Sequence, residues 1–316
     1  MSQLGFKLSF WNWISLLLKL FPKLKSKKGR KRARRIFLLQ LRALRLTENT
    51  LLPQATFPKI ELLSVASEKD LEVLALCLKS AIRFSLNPIS KVIVICPSFE
   101  VEKFTLELSR HKIHDRVEIL DEDKILSQEF RAKVKHNFGS RYGWVLQQFL
   151  SLEYILQTSA SGVLMTNADT IQLRKVHWLS DNCNQVLMAS TNYHDPYYEL
   201  LSHMFGFRRN PKFSFVTHHM LFQPKLLRSI FGNHGYYTVM EILDAAIQYS
   251  NSNEPSPLCI EFEPYAQGLL NEYPEYVFLK KLANKEVSRT DIDIELTVAA
   301  YGATPRYNSI SLHDYL

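Results

Sequence analysis

An α/β fold with a mostly parallel, Rossmann-like sheet flanked by helices is what this sequence predicts, and three observations predict it. Short apolar runs suited to buried strands alternate with stretches of helical periodicity. Turn residues such as Asn87-Pro88 punctuate the runs. At 316 residues, 46% hydrophobic and 12% aromatic, the chain can bury the core such a sheet needs on both faces.

The elements follow in order. Ile60–Ala66 reads as a buried strand. Ser67-Glu68-Lys69-Asp70 has the spacing of a capping box ahead of a helix carrying Leu71, Leu74, Leu78 and Ile82. Lys91–Cys96 is a second strand, Phe99–Arg110 a helix and Val117–Leu120 a third strand. Trp144–Gln157 is a further helix, leading into a fourth strand, Val163–Thr166. Ligands on such sheets bind beyond the carboxyl ends of the strands. The loop after the first strand, VASEKD, has no GxGxxG, and no GxxxxGK[ST] or GxSxG occurs, which disfavours dinucleotide, P-loop and hydrolase readings.

The net charge of +8 is unevenly spread. Residues 1–46 hold 13 Lys and Arg and no acid, whereas the rest has 26 basic against 31 acidic residues, a net −5. A mildly acidic body with a cationic arm points to an anionic partner for the arm. Within it Phe6, Phe10, Trp13, Ile14, Leu17 and Leu20 recur at helical spacing, broken by Lys7 and Lys19, too short and too charged to span a bilayer. The main basic block, Lys23 to Arg35, follows the apolar run instead of preceding it, unlike a signal peptide. The expectation is an amphipathic helix lying on an anionic membrane surface at the cytoplasmic face, the alternative being a helix docked on its own domain; a nucleic-acid role is not expected. Cys77, Cys96, Cys183 and Cys259 are widely spaced, with no zinc-site pattern, and read as reduced thiols. The expected organisation is an arm (1–46), a linker with two prolines (47–58), a catalytic body (59–290) and a C-terminal tail (291–316).

The chemistry concentrates where the fourth strand ends, in Asn167-Ala168-Asp169. Oxygen ligands at that edge are placed to meet a divalent cation and a diphosphate. An Asx-type turn is the alternative role for the same two residues. Arg141 can pair with phosphate through its guanidinium fork, and Trp144 offers either core packing or a base-stacking face. On a strand, His218 and His219 would point to opposite faces, so one at most faces a site. Glu261 and Glu263 would share a face of an extended segment, as acceptor ligands or base, or else as solvated carboxylates.

Three stretches together resemble the GT-A nucleotide-diphospho-sugar glycosyltransferases, and in particular a family of bacterial glycosyltransferase-like proteins. They are a G-W-x-x-Q-Q helix before a D-x-D strand end (Gly143-Trp144-Val145-Leu146-Gln147-Gln148, then Asn167-Ala168-Asp169), an F-V-T-H-H-M-L-F strand (Phe215 to Phe222), and a counterpart of S-E-Y-E-x-Y-G (Ile260 to Ala266). The resemblance implies transfer of a sugar from a nucleotide-diphosphate donor to a saccharide or lipid-linked acceptor in surface polysaccharide or glycolipid synthesis. It also implies a divalent cation, Mn²⁺ or Mg²⁺, on Asp169 and Asn167. Arg141, Trp144, Gln147 and Gln148 would stand on the donor side, and Glu261, Glu263, His218 or His219 at the acceptor and sugar. Asn167 replaces the first acid of the motif and brings no charge, so the alternative is a non-catalytic, membrane-associated binding protein that keeps the fold.

The arm yields a prediction. If charge and apolar insertion together hold it, deleting residues 1–46 releases the protein from anionic vesicles without unfolding the body, and high salt weakens the parent's binding only in part. Vesicle co-sedimentation of both proteins is the measurement, and equal binding by the truncated form would refute the expectation.

Overall fold

The computed structural model describes residues 57–111, 113, 117–190, 194–207, 214–249, 258–290, 292–304 and 306–313. The cationic arm and most of the linker therefore lie outside the described residues. No helix among the described residues is long and apolar enough to cross a membrane.

The chain opens with β1 (Ile60–Val65), α1 (Leu71–Phe84), β2 (Ile89–Cys96), α2 (Val101–Arg110) and β3 (Val117–Asp121). Next come α3 (Glu122–Ile125), α4 (Gln128–Phe138), α5 (Tyr142–Gln157), β4 (Val163–Thr166), β5 (Thr170–Gln172), β6 (Gln185–Ala189) and α6 (Asp195–Phe205). Then follow β7 (His219–Phe222), α7 (Pro224–Asn233), α8 (Val239–Tyr249), α9 (Phe262–Glu272), β8 (Val277–Lys281), β9 (Asn284–Ser288), α10 (Ile294–Ala303) and β10 (Ser309–His313). The central sheet has the order β3-β2-β1-β4-β7, parallel except for β7, which runs antiparallel to β4. A second sheet, β5-β10-β9, and a parallel pair, β6-β8, complete the strands.

The central strands read as continuous apolar runs because both faces are covered. Leu62, Val92, Val94 and Leu164 pack on one side with Leu74, Leu78 and Ala81 of α1. Leu63, Ile93, Ile95 and Met165 pack on the other with Phe149 and Leu152 of α5. Helix α1 has a second apolar stripe, Val73 and Cys77, which meets Ile171, Leu173, Ile310 and Leu312. It is therefore clasped between the two sheets, and the Ser80 hydroxyl accepts the Gln172 N–H at 2.9 Å, fixing β5 against it.

Three expectations are corrected here. Ser67 makes no side-chain capping bond: residues 68–70 form a 3₁₀ turn, the Glu68 N–H is taken by the Glu100 carboxylate at 2.8 Å, and Asp70 is drawn to Arg289 instead. The segment 291–316 is no tail, because it contains α10 and β10, and the buried β10 is the middle strand of the second sheet. The Phe215–Phe222 strand is shorter than expected, since His218 takes a left-handed backbone (φ 62°) that ends extended pairing before β7. Of the cysteines, Cys77, Cys96 and Cys259 are buried and Cys183 is exposed.

Gly268 lets α9 approach α7 closely: a Cβ there would lie 2.4 Å from the Cγ2 of Ile230, a fully buried β-branched side chain that cannot swing aside. Gly268→Ala is expected to destabilise the fold by about 1–3 kcal/mol through overpacking, despite alanine's better helix propensity. Ile230→Ala in the same chain should recover part of that loss. Thermal unfolding of the two single variants and the double variant measures the coupling.

Candidate functional site

At the carboxyl ends of β1 and β4 lies a cavity of about 280 Å³, lined among others by Lys69, Trp144, Gln147, Asn167, Asp169, Tyr197, His218, Glu261, Arg289 and His313. A second, of about 380 Å³, shares Val65, Lys69, Asp70, Trp144 and Gln147 with it and extends past Pro97 and Phe99 to Glu122, beyond the ends of β2 and β3. Both occupy the edge where open α/β sheets bind ligands.

The segment after β4 is held from two sides. The Asn167 N–H donates to the His218 carbonyl and the Leu312 N–H to the Asp169 carbonyl, each at 2.8 Å. Among the described residues, the side chains do not close an Asx turn. Asp169 Oδ2 meets His313 Nδ1 at 2.9 Å, and its Oδ1 accepts the Thr170 hydroxyl at 3.1 Å. Asn167 Nδ2 meets His218 Nδ1 at 3.2 Å, while Asn167 Oδ1 is buried without a hydrogen-bond partner. Burial alone would raise the Asp169 carboxyl, but the His313 bond and the nearby imidazoles outweigh it and hold Asp169 below its usual range. Burial lowers His218, favouring the neutral imidazole. An ionised carboxylate, an orphaned amide oxygen and an imidazole lining one cavity are donor types that fit a divalent cation.

The expectation that Glu261 and Glu263 share an extended face is corrected, because helix α9 begins between them. Two residues apart on a helix point in widely different directions. Glu263 is turned into the core, where its Oε1 accepts the Tyr198 hydroxyl, the Ser214 hydroxyl and the Phe215 N–H, each at 2.8 Å. Burial still raises its pKa against those bonds. Glu261 precedes the helix and lines the cavity. It is 4% exposed, its Oε2 has no hydrogen-bond partner, and burial pushes its carboxyl up to about 8. Gln148 sets its position: the amide donates to the Leu258 carbonyl and accepts the Ile260 N–H, both at 2.9 Å, tying α5 to the residues just before Glu261.

His218 lines the cavity and His219 does not; His219 is buried edge-on to Trp178 at 5.4 Å, and burial holds its imidazole down to about 3. Gln147 and Trp144 border both cavities, and Trp144 is 37% exposed and not packed in the core. Arg141 lies over its ring, the guanidinium carbon 5.5 Å from the ring centroid, and does not line either cavity. The sequence reading missed His313, Lys69 and Arg289. Arg289 bridges elements by pairing with Asp70 at 2.7 Å and donating to the Lys69 carbonyl at 2.8 Å and the Leu312 carbonyl at 2.7 Å. No local signal could have linked His313 to Asp169, 144 positions away.

No family model matches the sequence, and no curated protein does. Among solved structures the chain is similar to the galactosyltransferase LgtC in complex with donor and acceptor sugar analogs, at 9% identity over 80% of this chain and 87% of that one, TM-score 0.46. An active-site mutant of LgtC gives 11% identity with the same coverage and score. Mouse xyloside xylosyltransferase 1 in its apo form gives 12% identity over 80% and 97% of the two chains, TM-score 0.42. Likeness at these identities concerns backbone architecture alone and assigns no reaction to this chain.

Proposed function

We propose that the protein is a GT-A-type glycosyltransferase that moves a sugar from a nucleotide-diphosphate donor to a saccharide or lipid-linked acceptor at the cytoplasmic membrane surface, in surface polysaccharide or glycolipid synthesis. One observation carries the reading: a buried, partnerless carboxyl, Glu261, lines the same cavity as Asp169 and the orphaned oxygen of Asn167. A buried acid without a partner costs stability, so its placement beside a cation-type donor set is what a working site requires and what mere folding would remove.

The roles divide by chemistry. The second cavity, with the Trp144 face and the apolar Phe99, suits a base and ribose, and Lys69 stands between the cavities where a diphosphate would bridge them. Asp169, His313 and Asn167 Oδ1 would hold the cation, which when bound would neutralise charge growing on the departing diphosphate. The bond between the anomeric carbon and the diphosphate oxygen breaks as the acceptor oxygen attacks. Glu261 takes that oxygen's proton, and its raised pKa makes it a stronger base than an ordinary carboxylate. Glu263, already fully engaged, holds the Tyr198 and Ser214 hydroxyls in register and has a structural part only. The neutral Asn167 favours one rival, a binding protein without turnover; donor hydrolysis in the presence of Mn²⁺ separates the two.

Two predictions follow from these assignments. Asp169→Ala abolishes metal-dependent binding of the donor diphosphate, whereas Asn167→Asp, by adding a charge, tightens Mn²⁺ or Mg²⁺ binding. Calorimetric titration of each variant with donor diphosphate present reads both directions, and unchanged affinity in both would take the cation away from this site.

For Glu261, the folded protein keeps its proton up to about 8 whereas the unfolded chain releases it near the ordinary 4.5, so stability falls as pH rises across that window. Glu261→Gln should therefore stabilise the fold by on the order of 3 kcal/mol at pH 7 and by little below pH 4.5, while transfer collapses and its rise with pH through about 8 disappears. Melting temperatures across pH beside transfer rates test both halves; parent-like transfer would leave Glu261 without a catalytic part.

A further inference from the structure

The donor set around Asp169 does not end with the residues that the D-x-D pattern supplies. His218, Glu286 and His313 each offer a ligand atom, and these atoms all lie within 4.8 Å of one another. They come from three places in the chain. His218 precedes β7, Glu286 stands on β9, and His313 ends β10, so the convergence is a product of tertiary structure.

Two features argue for a built arrangement. His218 adopts a left-handed backbone at φ 62°, a conformation costly for a residue with a Cβ, which sends His219 into the core and leaves His218 on the cavity. Glu286 pairs in parallel register with Ser311, two residues before His313, so Glu286, Ser311 and His313 share one face of the second sheet. The exposed Glu286 is thereby carried to the face that presents His313. It also supplies the formal charge that Asn167 does not.

We infer that His218 and Glu286 join His313 as ligands of the cation beside Asp169, and that these two imidazoles and one carboxylate favour Mn²⁺, Co²⁺ or Zn²⁺ over Mg²⁺. The inference rests on the proposed cation at Asp169 and deepens it, since imidazole nitrogen suits the transition metals while Mg²⁺ selects oxygen and water. The charge lost at Asn167 is restored from another strand, and the balance of ligands shifts from oxygen towards nitrogen.

The experiment titrates cobalt(II) chloride into the full chain, following visible absorbance and heat, with Mg²⁺ as competitor and no nucleotide present. The parent should bind Co²⁺ with the spectrum of mixed nitrogen and oxygen ligation, in preference to Mg²⁺. His218→Ala should weaken Co²⁺ about ten-fold or more, alter the spectrum and narrow the preference over Mg²⁺. Glu286→Gln, at an exposed position on an edge strand where folding is not at stake, should weaken both ions about ten-fold. Parent-like Co²⁺ affinity and spectrum in Glu286→Gln and His218→Ala would overturn the inference. If those variants bind Co²⁺ like the parent while donor hydrolysis persists and Asp169→Ala loses it, the ligand set is wrong and the transferase reading stands. If they lose Co²⁺ but no nucleotide sugar is turned over by the parent, the ligand set stands and the transferase reading falls.

Discussion

The contact between Asp169 and His313 is the constraint on which the site depends. It joins the end of the central sheet to the middle strand of the second sheet, and it is doubled by the Leu312 N–H bonded to the Asp169 carbonyl. Strand β10 can reach that position because β5 follows Asp169 immediately and pairs with β10 in antiparallel register. Helix α1 fills the space between the sheets with one apolar stripe for each. Arg289 then ties the start of α1 to the backbone of β10. Moving β10 by one residue would turn His313 away from Asp169 and expose Ile310 and Leu312, so core packing and site geometry set the same register.

Two glutamates two residues apart show how surroundings, not residue type, assign a role. Glu263 is saturated by hydroxyls and a backbone N–H and serves as a buried clamp between α6, the Ser214 segment and α9. Glu261 receives no such compensation at Oε2 and faces the cavity. A fold selected for stability alone would satisfy or neutralise it. The same contrast separates His218 from His219, one on the cavity and the other sealed against Trp178.

Much of the central sheet was legible in the sequence. Strands β1 to β4 are short apolar runs bounded by turn residues, and their observed limits lie within two residues of those read from the chain. The second sheet was hidden because β5 is three residues long and β9 reads NKEVS, with no apolar alternation to betray it. Helix α9 had one unused signal: Pro264 is tolerated in a first helical turn, ahead of Tyr265, Ala266 and Leu269 at helical spacing. In the site, Asn167, Asp169 and Glu261 could be read from motif position, whereas His313, Lys69 and Arg289 could not. Their relevance comes from contacts across the fold, which local periodicity does not encode.

The clasped helix and its two sheets also separate the candidate site from the bulk of the secondary structure. Strands β1, β2 and β3 pair with near neighbours along the chain, whereas β4 joins β1, and β10 joins β5, only across long intervening segments whose closure costs entropy. A chain holding the central sheet without the second one would carry most of its helix and strand content and still lack His313 beside Asp169. Helix and strand content is therefore no measure of whether the candidate site is assembled, and a substitution in β9 or β10 can disturb that site while the α/β core persists.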